Sequence, residues 1–99
     1  MEYRVILHEK DAQPYYESQD KKSKNIIKKN LGKLEDDPYP RPDSGLGDTE
    51  KIVYQGKEAY RMHIGRSHTA IYTVDEEKKL VLVHELLDIG DAHKNYGYY

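Results

Sequence analysis

Ninety-nine residues with a formal net charge of -2 leave room for one domain and exclude a strong overall field for polyanions. With 36% hydrophobic and 34% charged residues the core must be small. The absence of cysteine excludes a disulfide framework, a thiolate nucleophile and a Cys-based zinc site. Phe and Trp are also absent, so the ten tyrosines must fill core space, and each buried ring needs a partner for its hydroxyl. No apolar run approaches the ~20 residues of a membrane helix. Met1-Glu2-Tyr3-Arg4 leads into a strand rather than a signal peptide, so the expectation is a soluble cytoplasmic protein with no membrane partner.

Tyr3–His8 is rich in β-branched and aromatic residues and reads as a strand well inside a sheet. Asp11 is placed to cap a short helix to about Ser18, with Pro14 in its first turn and Tyr15 and Tyr16 on its buried side. Asp20 or Ser18 then caps a longer helix to about Glu35. Its Ile27, Leu31 and Leu34 fall at i, i+4 and i+7 and form one apolar stripe. Lys21, Lys22, Lys24, Lys28, Lys29 and Lys33 crowd the rest of that helix, either as a solvated face or as a basic patch. Asp37–Pro42 must be extended because of its three prolines, and Asp43–Thr49 continues as a loop.

Lys51–Tyr54 is a strand and Gln55-Gly56-Lys57 a turn. Ala59–Ile64 and Thr69–Val74 make a hairpin, and Leu80–Leu87 is a final strand after the charged turn Asp75–Lys79. Asp88–Tyr99 reads as a polar tail lying across the sheet. The fold class is α+β, in the order β-α-α-β-β-β-β, with a small, mostly antiparallel sheet and a two-helix hairpin on one face.

Side chains alternate across a strand, so Tyr60, Met62 and Ile64 hide on one face while Arg61 and His63 emerge together on the other. Five histidines invite a metal site, but no pair has ligand spacing; only His63 and His68 could approach, across the hairpin, and no third ligand is evident. There is no phosphate loop, nucleophile elbow or paired-carboxylate signature. What remains is a cationic set: Arg61, His63, Arg66, His68, His93 and Lys94, with tyrosines near the end. Metal-free RNA cleavage needs a base for the 2′-hydroxyl, a cation over the phosphorane oxygens and an acid for the leaving 5′-oxygen. Arg clamps phosphate in pairs of hydrogen bonds, His titrates near neutrality, and Tyr98 or Tyr96 can stack on a base or donate a proton. Each also has a structural explanation: Arg61 covering the sheet, His63 bonded to a carbonyl, the tyrosines as an anchor.

The element order, Leu31-x-x-Leu34-x-x-Asp37-Pro38-Tyr39-Pro40, Tyr60-Arg61-Met62-His63-Ile64-Gly65 and Ile71-Tyr72-Thr73-Val74-Asp75 together resemble the RelE/ParE toxin superfamily. The tail Gly90-x-x-His93-Lys94-x-x-x-Tyr98 is similar to its closing HR-x-x-x-Y signature. The resemblance implies a toxin neutralised by a cognate antitoxin. RelE-type members cut mRNA on the ribosome by 2′-hydroxyl attack, and ParE-type members inhibit DNA gyrase. Carried over, it implies Arg61 and Lys94 for phosphate, and His63, His93 or Tyr98 for proton transfer, without a cofactor. Arg66, His68, Lys28 and Lys29 are the expected RNA contacts. Thr69 stands where the family places an arginine, after a connection one residue longer. With a net charge of -2, this keeps open a gyrase inhibitor or a weak or inactive member that only binds its antitoxin.

Overall fold

The computed structural model describes residues 2–40, 49–65 and 67–88. In chain order these are β1 (Arg4–Leu7), α1 (Ala12–Ser18), α2 (Lys21–Gly32), a single 3-10 turn (Lys33–Glu35), β2 (Thr49–Tyr54), β3 (Lys57–Ile64), β4 (His68–Asp75) and β5 (Leu80–Asp88). The expected β-α-α-β-β-β-β order and the α+β class hold. The five strands form one sheet in the order β1-β5-β4-β3-β2. Every pairing is antiparallel except that of β1 with β5. Among the described residues no helix is long and apolar enough to cross a membrane.

The helices cover one face because the apolar stripes meet there. Ile27, Leu31 and Leu34 pack with Tyr60, Met62 and Ile64 of β3, Ala70 and Tyr72 of β4, and Val81, Val83 and Leu86 of β5. A second, smaller cluster of Ile52, Tyr54, Ala59 and Ile71, with Leu87 against it, lies on the other face. The β3–β4 hairpin is therefore buried on both sides.

Local chemistry sets the boundaries. The Asp20 side chain accepts from the Ser23 amide at 2.8 Å and caps α2 as expected. Beyond Gly32 the helix tightens into the 3-10 turn instead of continuing as α to Glu35. Asp11 precedes α1 but makes no side-chain cap bond. The Ala12 and Gln13 amides donate instead to the His8 carbonyl, at 3.0 and 2.9 Å. Ala12 is the buried residue of α1, with Tyr15 and Tyr16 half-buried against the core.

Gln55 and Gly56, both at positive φ, form the tight turn that suits the twist of a two-residue hairpin. Gly65 also has positive φ, the left-handed conformation that favours glycine.

The main correction concerns β1. Tyr3–His8 reads as an interior strand, yet β1 lies at the sheet edge, paired in parallel with β5 alone. Its apolar run serves two faces: Val5 and Leu7 pack on the main core, while Ile6 is 42% exposed. A β-branched run signals a pleated, packed surface and does not report how many neighbours the strand has.

Tyrosine hydroxyls supply the polar stitching that the composition demands. Tyr72 OH, fully buried, donates to the Pro38 carbonyl at 2.6 Å, and its ring stacks on Tyr60 at 5.4 Å. Tyr3 OH donates to Glu76 at 2.7 Å, Tyr39 OH donates to the same carboxylate, and Lys79 Nζ bonds its other oxygen at 2.5 Å. This knot ties the N-terminal segment, the stretch after α2 and the β4–β5 turn together. The hydrogen bonds from Lys79, Tyr39 and Tyr3 hold the Glu76 carboxyl down at about 2, against an ordinary 4.5.

A carboxyl depressed in the folded state stabilises above its unfolded pKa, and that contribution disappears as pH falls through the folded pKa. Melting temperatures of wild type and Glu76→Gln, followed from about pH 6 to about pH 2, are expected to converge as the wild type loses its advantage. Tyr72→Phe, which strands a buried carbonyl acceptor, is expected to cost about 1–3 kcal/mol in denaturant unfolding.

Candidate functional site

The alternation that separates Arg61 and His63 from Tyr60, Met62 and Ile64 is present in β3. Arg61 and His63 lie on the face away from the helices. Arg61 does not stand out from that face, however: its residue is 5% exposed, and its Nη2 donates to Glu50 Oε2 at 2.5 Å. The Glu50 side chain on β2 is 49% exposed and caps the guanidinium from the edge strand. The cation expected to be displayed is thus held in a pair, and the site includes a carboxylate.

The turn explains the pairing. A two-residue connection at Gln55-Gly56 opposes Tyr54 to Lys57, and counting outward opposes Ile52 to Ala59 and Glu50 to Arg61. Residues directly opposite in an antiparallel pair share a face, so the carboxylate and guanidinium must meet. Glu50 is the residue that the sequence reading misses, and the hairpin register was the signal that could have found it.

His63 pairs with Thr69 and is half-buried on the same face as Arg61. His68 pairs with Ile64, which faces the helices, so His63 and His68 lie on opposite sides of the sheet and cannot approach each other. His68 is 8% exposed; its Nδ1 shares a 2.7 Å hydrogen bond with Tyr15 OH, and the two rings meet edge-on at 5.7 Å. It pins α1 to the start of β4. Thr69 is fully buried beside His63.

Lys28 and Lys29 are exposed on α2, in the helix layer, and Lys28 lines a cavity of about 280 Å³ with Val5, Leu7, Tyr16 and Leu31. They are separated from Arg61 by the thickness of the sheet. Arg66, His93, Lys94 and Tyr98 lie outside the described residues, as does the tail expected across the sheet. The structure therefore gathers Arg61, His63 and Glu50, and sets His68, Lys28 and Lys29 apart from them. Among the described residues, no three His, Asp or Glu side chains converge as a metal ion would require.

Glu50 compensates a nearly buried guanidinium, whereas Glu58, in its 2.9 Å pair with Lys51, is well exposed. Glu50→Ala is expected to lower unfolding stability by about 1–2 kcal/mol, the buried-pair penalty discounted for the half-exposed carboxylate. Glu58→Ala should stay within about 0.5 kcal/mol of wild type in the same assay.

No family model and no curated protein matches the chain. Solved structures do match. The archaeal RelE–RelB complex from Pyrococcus horikoshii OT3 contains a chain 26% identical, with a TM-score of 0.72 over 91% of this chain and 98% of that one. The YoeB dimer from Staphylococcus aureus gives a TM-score of 0.68 at 20% identity, covering 88% of this chain and 97% of its own. A YoeB/ParE toxin from Agrobacterium tumefaciens gives 0.69 at 16% identity, over 86% and 96%. The last two are likenesses of fold. In each comparison the match covers most of both chains. The fold of this chain is that of the RelE/ParE-like toxins.

Proposed function

We propose that this chain is the toxin of a toxin–antitoxin pair and that it acts as a RelE-type, metal-independent mRNA endoribonuclease on the ribosome. The observation that carries the reading is the juxtaposition of Arg61, its carboxylate partner Glu50 and the imidazole of His63 on one sheet face. An antitoxin partner is supported by the matched RelE–RelB complex.

In this reading the 2′-hydroxyl oxygen attacks the adjacent phosphorus and the 5′-oxygen leaves. The products are a 2′,3′-cyclic phosphate and a 5′-hydroxyl. Arg61 neutralises the charge that builds on the non-bridging oxygens, where a planar, permanently charged fork is best suited. Glu50 holds the guanidinium in place until phosphate competes for it. His63 transfers a proton, either from the 2′-hydroxyl or to the leaving oxygen. Lys94 is assigned to phosphate, and His93 or Tyr98 to the other proton transfer. Arg66, Lys28 and Lys29 are assigned to RNA contacts away from the reacting atoms, and His68 acts through the α1 packing rather than on RNA.

A second reading has its own support. Arg61 is nearly buried and already ion-paired, and the chain carries a net charge of -2, both of which weaken phosphate affinity. They favour a gyrase inhibitor or a member that only engages its antitoxin.

Primer extension on a translated reporter mRNA separates the two. Wild type is expected to cut within codons. Arg61→Ala should reduce cutting by about 10²–10³, the usual loss when a preorganised transition-state donor is removed. Arg61→Lys should recover only part of it, because charge without the fork is incomplete. Intact mRNA with folded wild type would contradict the nuclease reading, and inhibition of gyrase supercoiling would establish the alternative.

A further inference from the structure

β5 breaks its own alternation once. Val83 and Leu86 both belong to the core beneath the helices, so the two residues between them, His84 and Glu85, share the opposite face. The break is a bulge: Ile71 pairs with Glu85 and Tyr72 with Val83, which leaves His84 as the extra residue. On that face His84 stands beside the end of β1. The parallel register runs from Arg4 and Leu80 to Leu7 and Val83, and the His8 amide extends it by donating to the Val83 carbonyl at 2.8 Å. Val5 and Leu7 point to the helices, so alternation sends His8 to the other side, near enough for its charge to act on His84. Two histidines thus meet across the β1–β5 seam, the single pairing that β1 makes among the described residues.

The two imidazoles differ in what awaits a proton. His8 Nδ1 accepts from the Lys10 amide at 3.3 Å and has the Asp11 carboxylate 3.6 Å away, a partner once the ring is charged. His84 has no such reserve. Its Nε2 shares a 2.8 Å hydrogen bond with Thr73 Oγ1 of β4, and the Tyr54 ring of β2 lies 5.4 Å from its own. The cations acting on it are His8 and, from β3, Lys57; the carboxylate is its neighbour Glu85, which takes the Tyr54 hydroxyl at 2.5 Å. Burial first, then His8 and Lys57, hold the His84 imidazole below its ordinary pKa, against the smaller pull of Glu85.

We propose that the His8–His84 contact is an acid-sensitive latch, and that protonating both rings opens the β1–β5 seam and loosens β1 and α1 together. Like charges at neighbouring positions of paired strands repel. The two elements move as one because the His8 carbonyl accepts the Ala12 and Gln13 amides that begin α1. A four-residue edge strand is the kind of element that opens locally while the rest of a sheet stays paired. Its release uncovers apolar surface: Val5, Leu7 and Tyr16 wall the cavity of about 280 Å³ that Leu31 of α2 closes from the other side. The pairing of Arg61 with Glu50 lies between β2 and β3, so the latch operates whichever activity the chain has. The sign follows from His84. Folding lowers the pKa of this base, so the latch holds fully above its ordinary value of 6.5 and weakens as pH falls below it. The Glu76 knot, whose carboxyl titrates at about 2, stays tied throughout that window.

The test is amide hydrogen exchange of the full chain by NMR at about pH 7.5 and about pH 5, normalised to intrinsic exchange rates, across the range in which histidine changes charge. On acidification the His8 and Ala12 amides are expected to lose about tenfold more protection than those of the β3–β4 hairpin, the scale set by two neighbouring like charges near a protein surface. His84→Gln, which keeps a partner for Thr73 and cannot be charged, should abolish that difference. His8→Gln, at a more exposed position, should do the same, and it serves alone if His84→Gln does not fold. Unchanged protection at the lower pH, a loss spread evenly over all strands, or a selective loss that survives these substitutions would overturn the proposal.

Discussion

The constraint on which the rest depends is that the β3–β4 hairpin is buried on both faces. On the helix side, Ile64, Ala70 and Tyr72 are closed over by α1 and α2, and on the other side Ala59, Thr69 and Ile71 are equally inaccessible. A strand in that position offers a charged side chain little solvent. Arg61 must be desolvated there, and a desolvated guanidinium persists only with a carboxylate opposite it. The Gln55-Gly56 turn supplies that partner by fixing which residue of β2 faces Arg61. Burial, turn and ion pair are one arrangement, and it gives the face away from the helices its chemical character.

Polar groups flank the small apolar cluster on that face, and three of them are held by a neighbour on another strand. Glu50 answers Arg61, Tyr54 answers Glu85, and Thr73 answers His84. This is what a chain with tyrosine as its only aromatic residue does: rings fill space, and hydroxyls bind across the sheet. The same logic builds the Glu76 knot at the other end of the molecule. Preorganised donors and acceptors of this kind need little rearrangement to meet a polar ligand, the general condition for stabilising a developing charge. The lysines of α2 belong to a different layer. Any polyanion they meet is a different segment from the one at Arg61.

Much of the fold was legible from local chemistry. The i, i+4, i+7 stripe of Ile27, Leu31 and Leu34 specifies its element by short-range rules and is found where they put it. Of the two candidate caps, Asp20 and Ser18, Asp20 is the one used, and the turn expected over Gln55-Gly56-Lys57 is the tighter pair Gln55-Gly56, with Lys57 already in β3. What could not be read depends on long-range pairing. Tyr3–His8 has the composition of an interior strand, but its place at the edge follows from its parallel pairing with β5, some seventy-five residues away. His63 and His68 seem close in sequence, yet the register of β3 on β4 puts them on opposite faces. The exposure expected of Arg61 failed because alternation predicts which face a side chain takes, not whether that face is open. Leu80–Leu87 reads as a plain apolar run, and the bulge that turns His84 and Glu85 the same way is visible only once Ile71 is paired.

The central claim is that this face cleaves RNA by internal 2′-hydroxyl attack, without a metal. Its most direct test is the chemistry of the cut ends, read by mass spectrometry of RNA recovered after incubation with translating ribosomes. The account predicts 2′,3′-cyclic phosphate on the upstream fragment and 5′-hydroxyl on the downstream one. Ends bearing 3′-hydroxyl and 5′-phosphate, the products of attack by water at the other side of the phosphate, would contradict it.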